Sequence, residues 1–299
     1  LLGYYIAEGN HQTGYVILAN RAPSIRRDIE AALTELGLPF SIRPSSDYQV
    51  SSTALAELLG TLCGTHAQNK RLPSFWPQLS DEALGHLLRA YFDGDGTVGK
   101  ASAVIAATAS PALASDLAYA LLRFGIWARS TRRWKRATNS QHAGDWYIYV
   151  TISGQANLKR FHDHVGFSLP YKEQALEKQR EHAEHSNVDV APIRGEHLRA
   201  LRTRLGLTAG ALGVAAGISR AAVQLFEAGR RAPRRITLIK LLAALQNEAL
   251  SQGLADAEWE SIWASLSRLC QVRWTRIAAV DPIEYQHPYV YDFSVPGPE

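Results

Sequence analysis

The chain has 299 residues, of which 46% are hydrophobic and 20% are charged, with two cysteines and no methionine. This length predicts two or three domains of about 100–150 residues each, and the composition excludes a disordered, collagen-like or disulfide-framed chain. Cys63 and Cys270 are expected to be reduced thiols, as in a cytoplasmic protein. The sequence shows no apolar stretch of about 20 residues and no signal peptide, so no membrane partner is expected. The absence of methionine predicts a segment taken from inside a longer reading frame.

The formal net charge of +4 is unevenly distributed along the chain. Residues 199–240 contain nine basic residues and one acidic residue, a net charge of +8, which leaves −4 for the rest. A basic block of this density is typical of phosphate binding, although a solvated helical face has the same composition.

Two similar strings, residues 1–9 and 88–96, each predict an apolar helix that ends in an acidic residue and a glycine. The acidic residues are Glu8 and Asp95. Each helix has two small residues one turn apart on one face: Gly3 and Ala7 in the first, Ala90 and Gly94 in the second. Because small residues let helix backbones approach closely, the two helices are expected to pack side by side and to bring the two carboxylates together.

The similarity between the two parts of the chain extends beyond these helices. The spacing from glycine to lysine is the same in residues 64–70 and in residues 166–172. Residues 127–136 and 145–153 alternate as antiparallel strands do. The sequence therefore predicts two copies of one unit with the order helix–strand–strand–helix–strand–strand–helix.

Two carboxylates at a helix interface repel each other unless a cation neutralises them, and ligands that are all oxygen favour Mg²⁺ over Zn²⁺. Such a pair suits phosphodiester hydrolysis, in which Lys70 and Lys172 would support the charge of the phosphorane or the nucleophilic water. A purely structural helix pair with exposed ends is the alternative that these residues leave open.

Residues 1–9 and 88–96 resemble the two motifs of a single-chain LAGLIDADG homing endonuclease, and the resemblance covers roughly residues 1–179. It implies an α+β fold of two αββαββα units, in which the motif helices form a pseudo-twofold interface and antiparallel sheets form a saddle over DNA. Glu8 and Asp95 would ligate about two or three Mg²⁺ ions, with the carbonyl oxygens of Ala7 and Gly94 as further ligands.

The resemblance also implies a catalytic role for Lys70, which lies ahead of the second motif. Lys172 lies at the place related to it by the repeat, and Lys135 is a competing candidate. The saddle strands are expected to contact DNA through Arg43, Gln49, Arg129, Thr131, Arg133 and Lys135.

Residues 195–248 resemble a helix-turn-helix domain of the Cro/repressor kind. Residues 198–202 would be its first helix, 207–219 its scaffold helix and turn, and 220–228 its recognition helix. Ser219 is predicted to cap the recognition helix, whereas Gly210 and Gly213 are expected to weaken the scaffold helix. The expected DNA contacts are Ser219, Arg220, Ala221, Gln224, Arg230 and Arg231. A helical bundle packed against the endonuclease is the alternative.

An amphipathic helix to about residue 269 is expected to precede two β-rich stretches, residues 272–277 and 290–297. These resemble the closing strands of an intein splicing domain, although an unrelated hairpin is the alternative. The terminal His-Asn pair and the downstream nucleophile are missing, so no splicing is expected from this chain alone.

Histidines at positions 162, 164, 182 and 185 are candidate metal ligands by residue type. They do not recur in the other half and no cysteine accompanies them, so surface histidines and no zinc site are expected.

Together these patterns predict LAGLIDADG subdomains at 1–80 and 81–190, a helix-turn-helix domain at 195–248 and an intein remnant at 256–299. The predicted function is a monomeric, site-specific endonuclease that cuts both strands of a long asymmetric DNA duplex. The alternatives are a non-catalytic DNA-binding regulator and, more remotely, an RNA-binding intron maturase.

Overall fold

The computed structural model describes residues 1–45, 47–99, 102–135, 144–180, 189–254 and 256–275, together with isolated positions 277, 280, 282, 284–286 and 288–289. The chain divides into two compact units, Leu1–Ser186 and Asn187–Glu299.

The first unit consists of two similar halves. The elements of the first half are α1 (Leu2–Glu8), β1 (Gly9–Gln12), β2 (Tyr15–Leu18), α2 (Pro23–Glu35), β3 (Ser41–Ile42), β4 (Tyr48–Val50), α3 (Thr53–Cys63) and the short α4 (His66–Asn69). Those of the second half are α5 (Asp81–Asp95), β5 (Gly96–Gly99), β6 (Ala103–Thr108), α6 (Pro111–Arg123), β7 (Ala128–Lys135), β8 (Asp145–Ser153), α7 (Gln155–His164) and α8 (Pro170–Arg180). Each half thus has the predicted αββαββα order, followed by one further helix.

Each half contributes one antiparallel sheet of four strands, with the orders β1-β2-β4-β3 and β5-β6-β8-β7. In the second sheet Val104, Ala106, Val150 and Ile152 face the core, and the residues between them face away from it. This alternation is the period of two that the sequence shows. The α+β prediction is confirmed.

Helices α1 and α5 pack against each other at very short range. A Cβ atom placed on Gly3 would lie 2.3 Å from the carbonyl oxygen of Leu87, and one on Gly94 would lie 2.6 Å from the Cβ of Ala7. Tyr5 and Phe92 are fully buried beside this contact. The small residues are therefore required for the approach of the two backbones, as the sequence predicts.

The regular elements of the second unit are all helices in its described residues, and Val190 and Arg234 form an isolated antiparallel bridge. Its helices are α9 (Gly195–Arg204), α10 (Ala209–Ala216), α11 (Arg220–Glu227), α12 (Arg235–Gln252) and α13 (Ala257–Gln271). In the described ranges no single helix is long and apolar enough to cross a membrane. The helix pair α10–α11, bent by 113°, meets the criteria of length and composition only when taken together.

Gly213 has a different role from the one expected. A Cβ on this residue would lie 2.8 Å from the carbonyl oxygen of Ile218, in the turn between α10 and α11. The glycine therefore allows the turn to fold back on the scaffold helix, rather than simply weakening that helix. Gly217 ends α10 in the left-handed conformation, with φ at 65°.

The C-terminal region begins with the predicted amphipathic helix, which ends at Gln271. Trp259 and Leu266 of α13 are buried in the same core as Leu201 and Leu245, so α13 is part of the second unit. Residues 272–275 and 277, the described part of the predicted strand 272–277, form no strand. A strand needs a partner for its hydrogen-bond ladder, and none is present among the described residues. Residues 290–297 lie outside the described residues.

Candidate active site and DNA interface

The two acidic residues lie at corresponding ends of the packed helices. Helix α1 ends at Glu8 and α5 ends at Asp95, and the chain passes directly into β1 and β5. A Cβ placed on Gly94 would lie 3.3 Å from Oε1 of Glu8, so this carboxylate touches the end of the opposite helix. Ala7 and Gly94 are half-buried beside them. The helix packing therefore gathers all four predicted metal-site residues.

The two carboxylates disfavour each other's ionisation. Asp95 is an exposed residue that opens onto a cleft, and protein atoms around the cleft displace part of the water from its carboxylate. This desolvation, together with the charge of Glu8, raises the pKa of Asp95 to about 7. Burial also raises the pKa of Glu8, although Lys172 and a hydrogen bond from Asn20 at 3.3 Å oppose the shift. Ionising both carboxylates is therefore unfavourable without a cation. A hard divalent ion, which prefers oxygen ligands, would remove this penalty.

Lys70 is buried against the first motif helix. Its Nζ donates to the carbonyl oxygens of Tyr5 at 2.7 Å and Gly9 at 3.1 Å, and it lies 3.4 Å from the centre of the Tyr5 ring. Desolvation lowers the pKa of Lys70 to about 8, against the opposing charges of Cys63 and Asp95. The pKa of this ammonium group therefore lies closer to neutral pH than that of an exposed lysine.

Lys172 occupies the corresponding place in the second half. Its Nζ donates to the carbonyl oxygens of Phe92 at 3.2 Å and Asp93 at 2.6 Å. Desolvation lowers the pKa of Lys172, while Asp93, Asp95 and Glu8 oppose the shift. The competing candidate Lys135 ends β7 with an exposed side chain. The structure therefore brings Lys172 to the motif helix.

Asp93 was not among the predicted site residues, although it is charged and only 2% exposed. Its carboxylate oxygens accept from the backbone N–H of Ser168 at 3.0 and 3.2 Å, just before α8, which carries Lys172. Its repeat counterpart in the first motif is the apolar Ile6. An acid at a position that is apolar in the other copy was the signal available in the sequence.

Lys70 is held in a different way. Its carbonyl oxygen accepts from Oγ of Ser110 at 2.6 Å, and the N–H of Leu72 donates to Asp116 at 3.0 Å. Ser110 caps α6 and Asp116 lies within it, so contacts from the second half position the lysine of the first half.

A cleft of about 440 Å³ opens beside these groups. Its walls include Lys70, Asp95, His66, Gln68 and Tyr147. The sequence offered no signal for His66, Gln68 or Tyr147, because no motif or matched spacing is defined by them.

The predicted contacts on β7 share one face of the second sheet. Arg129, Thr131, Arg133 and Lys135 lie opposite Thr151, Tyr149, Tyr147 and Asp145 of β8, on the side away from the core. Tyr147 also lines the cleft, so this face continues from the candidate active site. The Arg133 guanidinium lies 5.2 Å from the Tyr149 ring centre. The hydroxyl oxygen of Thr131 is buried and has no hydrogen-bond partner among the described residues, so the predicted DNA contact through it is not exposed on this face.

In the first sheet, Nη1 of Arg43 donates to Oε1 of Gln49 at 3.3 Å. Gln49 in turn donates to Oγ of Ser51 at 3.2 Å. Both predicted DNA contacts in this sheet are half-buried and linked to each other, so they form one polar group.

In the second unit, Ser219 caps α11 by accepting from the N–H of Ala222 at 3.2 Å. Val223 and Phe226 bury one face of α11. The predicted contacts are all exposed: Ser219, Arg220, Ala221, Gln224, Arg230 and Arg231.

The candidate histidines separate into three cases. His164 stacks on Phe124, with ring centres 5.1 Å apart. His162 faces Glu173, with Nε2 3.1 Å from Oε1. His182 and His185 lie outside the described residues.

Two parts of the chain match known protein families. Residues 82–166 match the family model of a LAGLIDADG-like domain, and residues 195–247 match that of a helix-turn-helix domain. The first match covers α5 to α7 in the second half of the first unit, and the second covers α9 to most of α12.

The chain also resembles parts of long archaeal proteins. It is 27% identical over 311 residues to the DNA-directed RNA polymerase subunit Rpo1C of Methanocaldococcus jannaschii, covering 100% of this chain and 33% of that protein. It is 33% identical over 216 residues to the replication factor C small subunit of the same organism, and the match covers 68% of this chain and 11% of that protein. It is 32% identical over 215 residues to the replication factor C small subunit of Thermococcus kodakarensis, and the match covers 69% of this chain and 23% of that protein. The chain thus spans a third or less of the length of these relatives.

Among solved structures, mesophilic variants of the homing endonuclease I-DmoI match 55% of this chain and 92% of theirs, with 13% identity and a TM-score of 0.38. The homing endonuclease I-WcaI bound to its DNA recognition sequence matches 58% and 83%, with 11% identity and a TM-score of 0.35. From the family matches, the chain contains a LAGLIDADG-like domain in its first unit and a helix-turn-helix domain in its second.

Proposed function

We propose that the protein is a site-specific endonuclease that hydrolyses both strands of a long, asymmetric DNA duplex with divalent cations. The observation that carries this proposal is the convergence of two acids and two buried lysines on one helix interface. Glu8 and Asp95 end the packed helices, and Lys70 and Lys172 each donate to main-chain carbonyls of one of them. A structural helix pair has no need of four charged groups at one end.

The acidic pair suits Mg²⁺. Glu8 and Asp95, with the carbonyl oxygens of Ala7 and Gly94, offer only oxygen ligands, and about two or three ions would fill such a site. When bound, divalent ions supply an activated water and charge stabilisation for the leaving oxygen. The raised pKa of Asp95 supports this assignment, because a cation relieves the repulsion that contributes to the shift.

The lysines supply positive charge that needs no reorganisation during the reaction. Each ammonium is held by two carbonyl oxygens, so it is positioned before substrate binds. Lys70, with a pKa of about 8, can hold a proton near the phosphorane or accept one from the nucleophilic water.

DNA would bind along the outer faces of the two sheets. The alternating basic residues of β7 lead towards the cleft, and each would contact phosphate or base edges in the major groove. The exposed residues of α11, with Arg220 and Gln224 suited to guanine and adenine edges, would lengthen the footprint. Both halves lie in one chain, which supports a monomer acting on an asymmetric target.

An intein origin is supported by the kinds of protein that share this sequence. A polymerase subunit, a replication factor subunit and elongation factor 2 of Methanopyrus kandleri are named for unrelated activities, yet each resembles this chain over only part of its length. A segment common to such proteins is typical of an inserted module.

The test is cleavage of a plasmid that bears the host-gene junction without the insertion. We expect linear DNA in Mg²⁺ from the wild type and a loss of at least about 100-fold from Glu8→Gln or Asp95→Asn. Glu82→Gln is the control, because Glu82 lies in the first turn of α5 and is highly exposed.

Undiminished cutting by both site variants would overturn the assignment of the metal ligands. Specific binding without nicking, in Mg²⁺ and in Mn²⁺, would instead establish the regulator.

A further inference from the structure

We propose a second metal site, separate from the acidic pair, in which His162, Glu173 and Glu177 bind a transition-metal ion such as Zn²⁺. His162 lies in the last turn of α7, and the two glutamates lie one turn apart on α8. One ligand atom from each residue lies within 4.8 Å of the other two. Nε2 of His162 and Oε1 of Glu173 are 3.1 Å apart, the separation of neighbouring ligands around an ion bound at about 2.0–2.2 Å.

The ligands are oriented by groups behind them. Nδ1 of His162 lies 3.0 Å from Oδ1 of Asp163, and a carboxylate on that nitrogen places the free lone pair on Nε2. Oε2 of Glu173 accepts from the N–H of Phe167 at 2.9 Å, which leaves Oε1 to face the imidazole. These two hydrogen bonds fix the orientation of the ligands, which a chance cluster of surface acids would not show.

The charges of this group are unbalanced without a cation. Glu173 and Glu177 are four residues apart on one helix and repel each other. Among the described side chains, no lysine or arginine forms an ion pair with either glutamate. A divalent cation would balance the charge of the two glutamates.

The donor set selects the kind of ion. One imidazole nitrogen with two carboxylate oxygens suits Zn²⁺ or its neighbours in the first transition row, whereas Mg²⁺ prefers oxygen alone. The side chains of His162 and Glu173 are 29% and 26% exposed, so an ion can enter and keep water as a further ligand. The proposal therefore revises the expectation of ordinary surface histidines and no zinc.

The ion would clamp α8 onto α7 and so stabilise the helix that carries Lys172, the neighbour of Glu173. The first half lacks these ligands at the corresponding positions. With Gly64 aligned to Gly166, the counterparts of His162 and Glu173 are Gly60 and Arg71. The site is therefore a feature of the second half alone.

The test uses the full chain, free of any affinity tag, with Glu8→Gln and Asp95→Asn to remove the acidic pair. We expect this protein to retain one Zn²⁺ in equilibrium dialysis. Its thermal midpoint should rise by about 5 °C at a Zn²⁺ concentration about 100-fold above the dissociation constant. His162→Asn or Glu177→Gln, added to this background, should abolish both effects.

Glu57→Gln serves as the matched control, because Glu57 is an exposed glutamate on α3, and it should change neither measurement. Unfolding in EDTA shows whether each variant still folds. If the background protein takes up no Zn²⁺ at a free concentration of about 100 µM, where a specific site should be well occupied, the proposal is overturned. Equal uptake by His162→Asn would overturn it as well.

Discussion

The two halves of the first unit hold corresponding lysines by different means. Both ammonium groups donate to carbonyls of a motif helix, but Ser110 from the opposite half supports Lys70, whereas Asp93 from its own half supports the segment before Lys172. The hydrogen bonds from the lysine to the motif helix are common to both copies, whereas the hydrogen bonds that support the lysine segment differ. The repeat thus preserves the position of a charged group while its support can be rebuilt.

The sheets differ in a similar way. Strands β7 and β8 pair over eight positions, whereas β3 and β4 pair over two. The longer ladder gives the second half a row of four outward-facing residues on β7 that the first sheet has no length to match. The two halves are thus expected to contribute unequally to DNA binding.

The strongest test of what the halves share is the helix contact. Gly3→Ala places a methyl group 2.3 Å from a backbone oxygen, and Gly94→Ala places one 2.6 Å from another methyl group. Since neither neighbour can move cheaply, we expect each variant to lose about 3 kcal/mol or more of the free energy of unfolding in urea. Gly210→Ala, with no atom closer than 3.7 Å, should cost nothing or stabilise. Equal stability of all three variants would contradict a close interface.

The next largest effect is expected at Asp93, because the first half has an apolar residue at the corresponding position. Asp93→Leu, which imitates Ile6, leaves the N–H of Ser168 without its acceptor, and we expect a loss of about 2 kcal/mol in urea unfolding. Because α8 is then less well held, nicked circles should accumulate ahead of linear DNA in a plasmid assay. Ile6→Val is the control, and it should cost about 1 kcal/mol without changing the ratio of nicked to linear product. An unchanged ratio for Asp93→Leu would show that Lys172 does not depend on this support.

Replacing the acidic residues of the pair should have a smaller effect of the opposite sign, which is a gain in the free energy of unfolding. The folded protein raises the pKa of Asp95 from 3.8 to about 7, so without metal its stability falls as pH rises between these values. Asp95→Asn removes the penalty. We expect a gain of about 1–2 kcal/mol above pH 7 in EDTA, after allowing for screening by water in the cleft, and none below about pH 4. Glu8→Gln should gain less, since Asn20 stabilises that carboxylate.

Urea unfolding at pH 4 and pH 8 measures this difference. A gain of the same size at both values would show that it does not come from ionisation of Asp95.

The smallest expected effect is the difference in stability between the loss of two serine caps. Ser110 caps α6 and also donates to the carbonyl of Lys70, whereas Ser219 only caps α11. We expect Ser219→Ala to cost about 1 kcal/mol and Ser110→Ala about 1 kcal/mol more, because a buried carbonyl loses its donor. Only Ser110→Ala should also slow cleavage of bound DNA, whereas Ser219 is a predicted DNA contact and its replacement should weaken binding instead. Thermal unfolding monitored by circular dichroism measures the difference in stability. A loss of cleavage in Ser219→Ala without weaker DNA binding would argue against the predicted difference in cleavage.

The local elements and the repeat could be predicted from the order of the amino acids alone. The period of the apolar residues and the capping residues are local signals, so β8 and the start of α11 lie where the pattern predicts them. The small residues of the motifs also sufficed to predict that two helices meet, because only small side chains allow that approach.

Which distant side chains meet depends on the packing of the elements in three dimensions. The fold brings Lys172 rather than Lys135 to the motif helix, places Asp93 behind the segment that leads to Lys172, and brings His162 to Glu173 and Glu177. Lys172 and Asp93 are 79 residues apart along the chain, and such contacts follow from helix packing rather than from any local pattern. The sequence carries these residues, but the tertiary structure makes them neighbours.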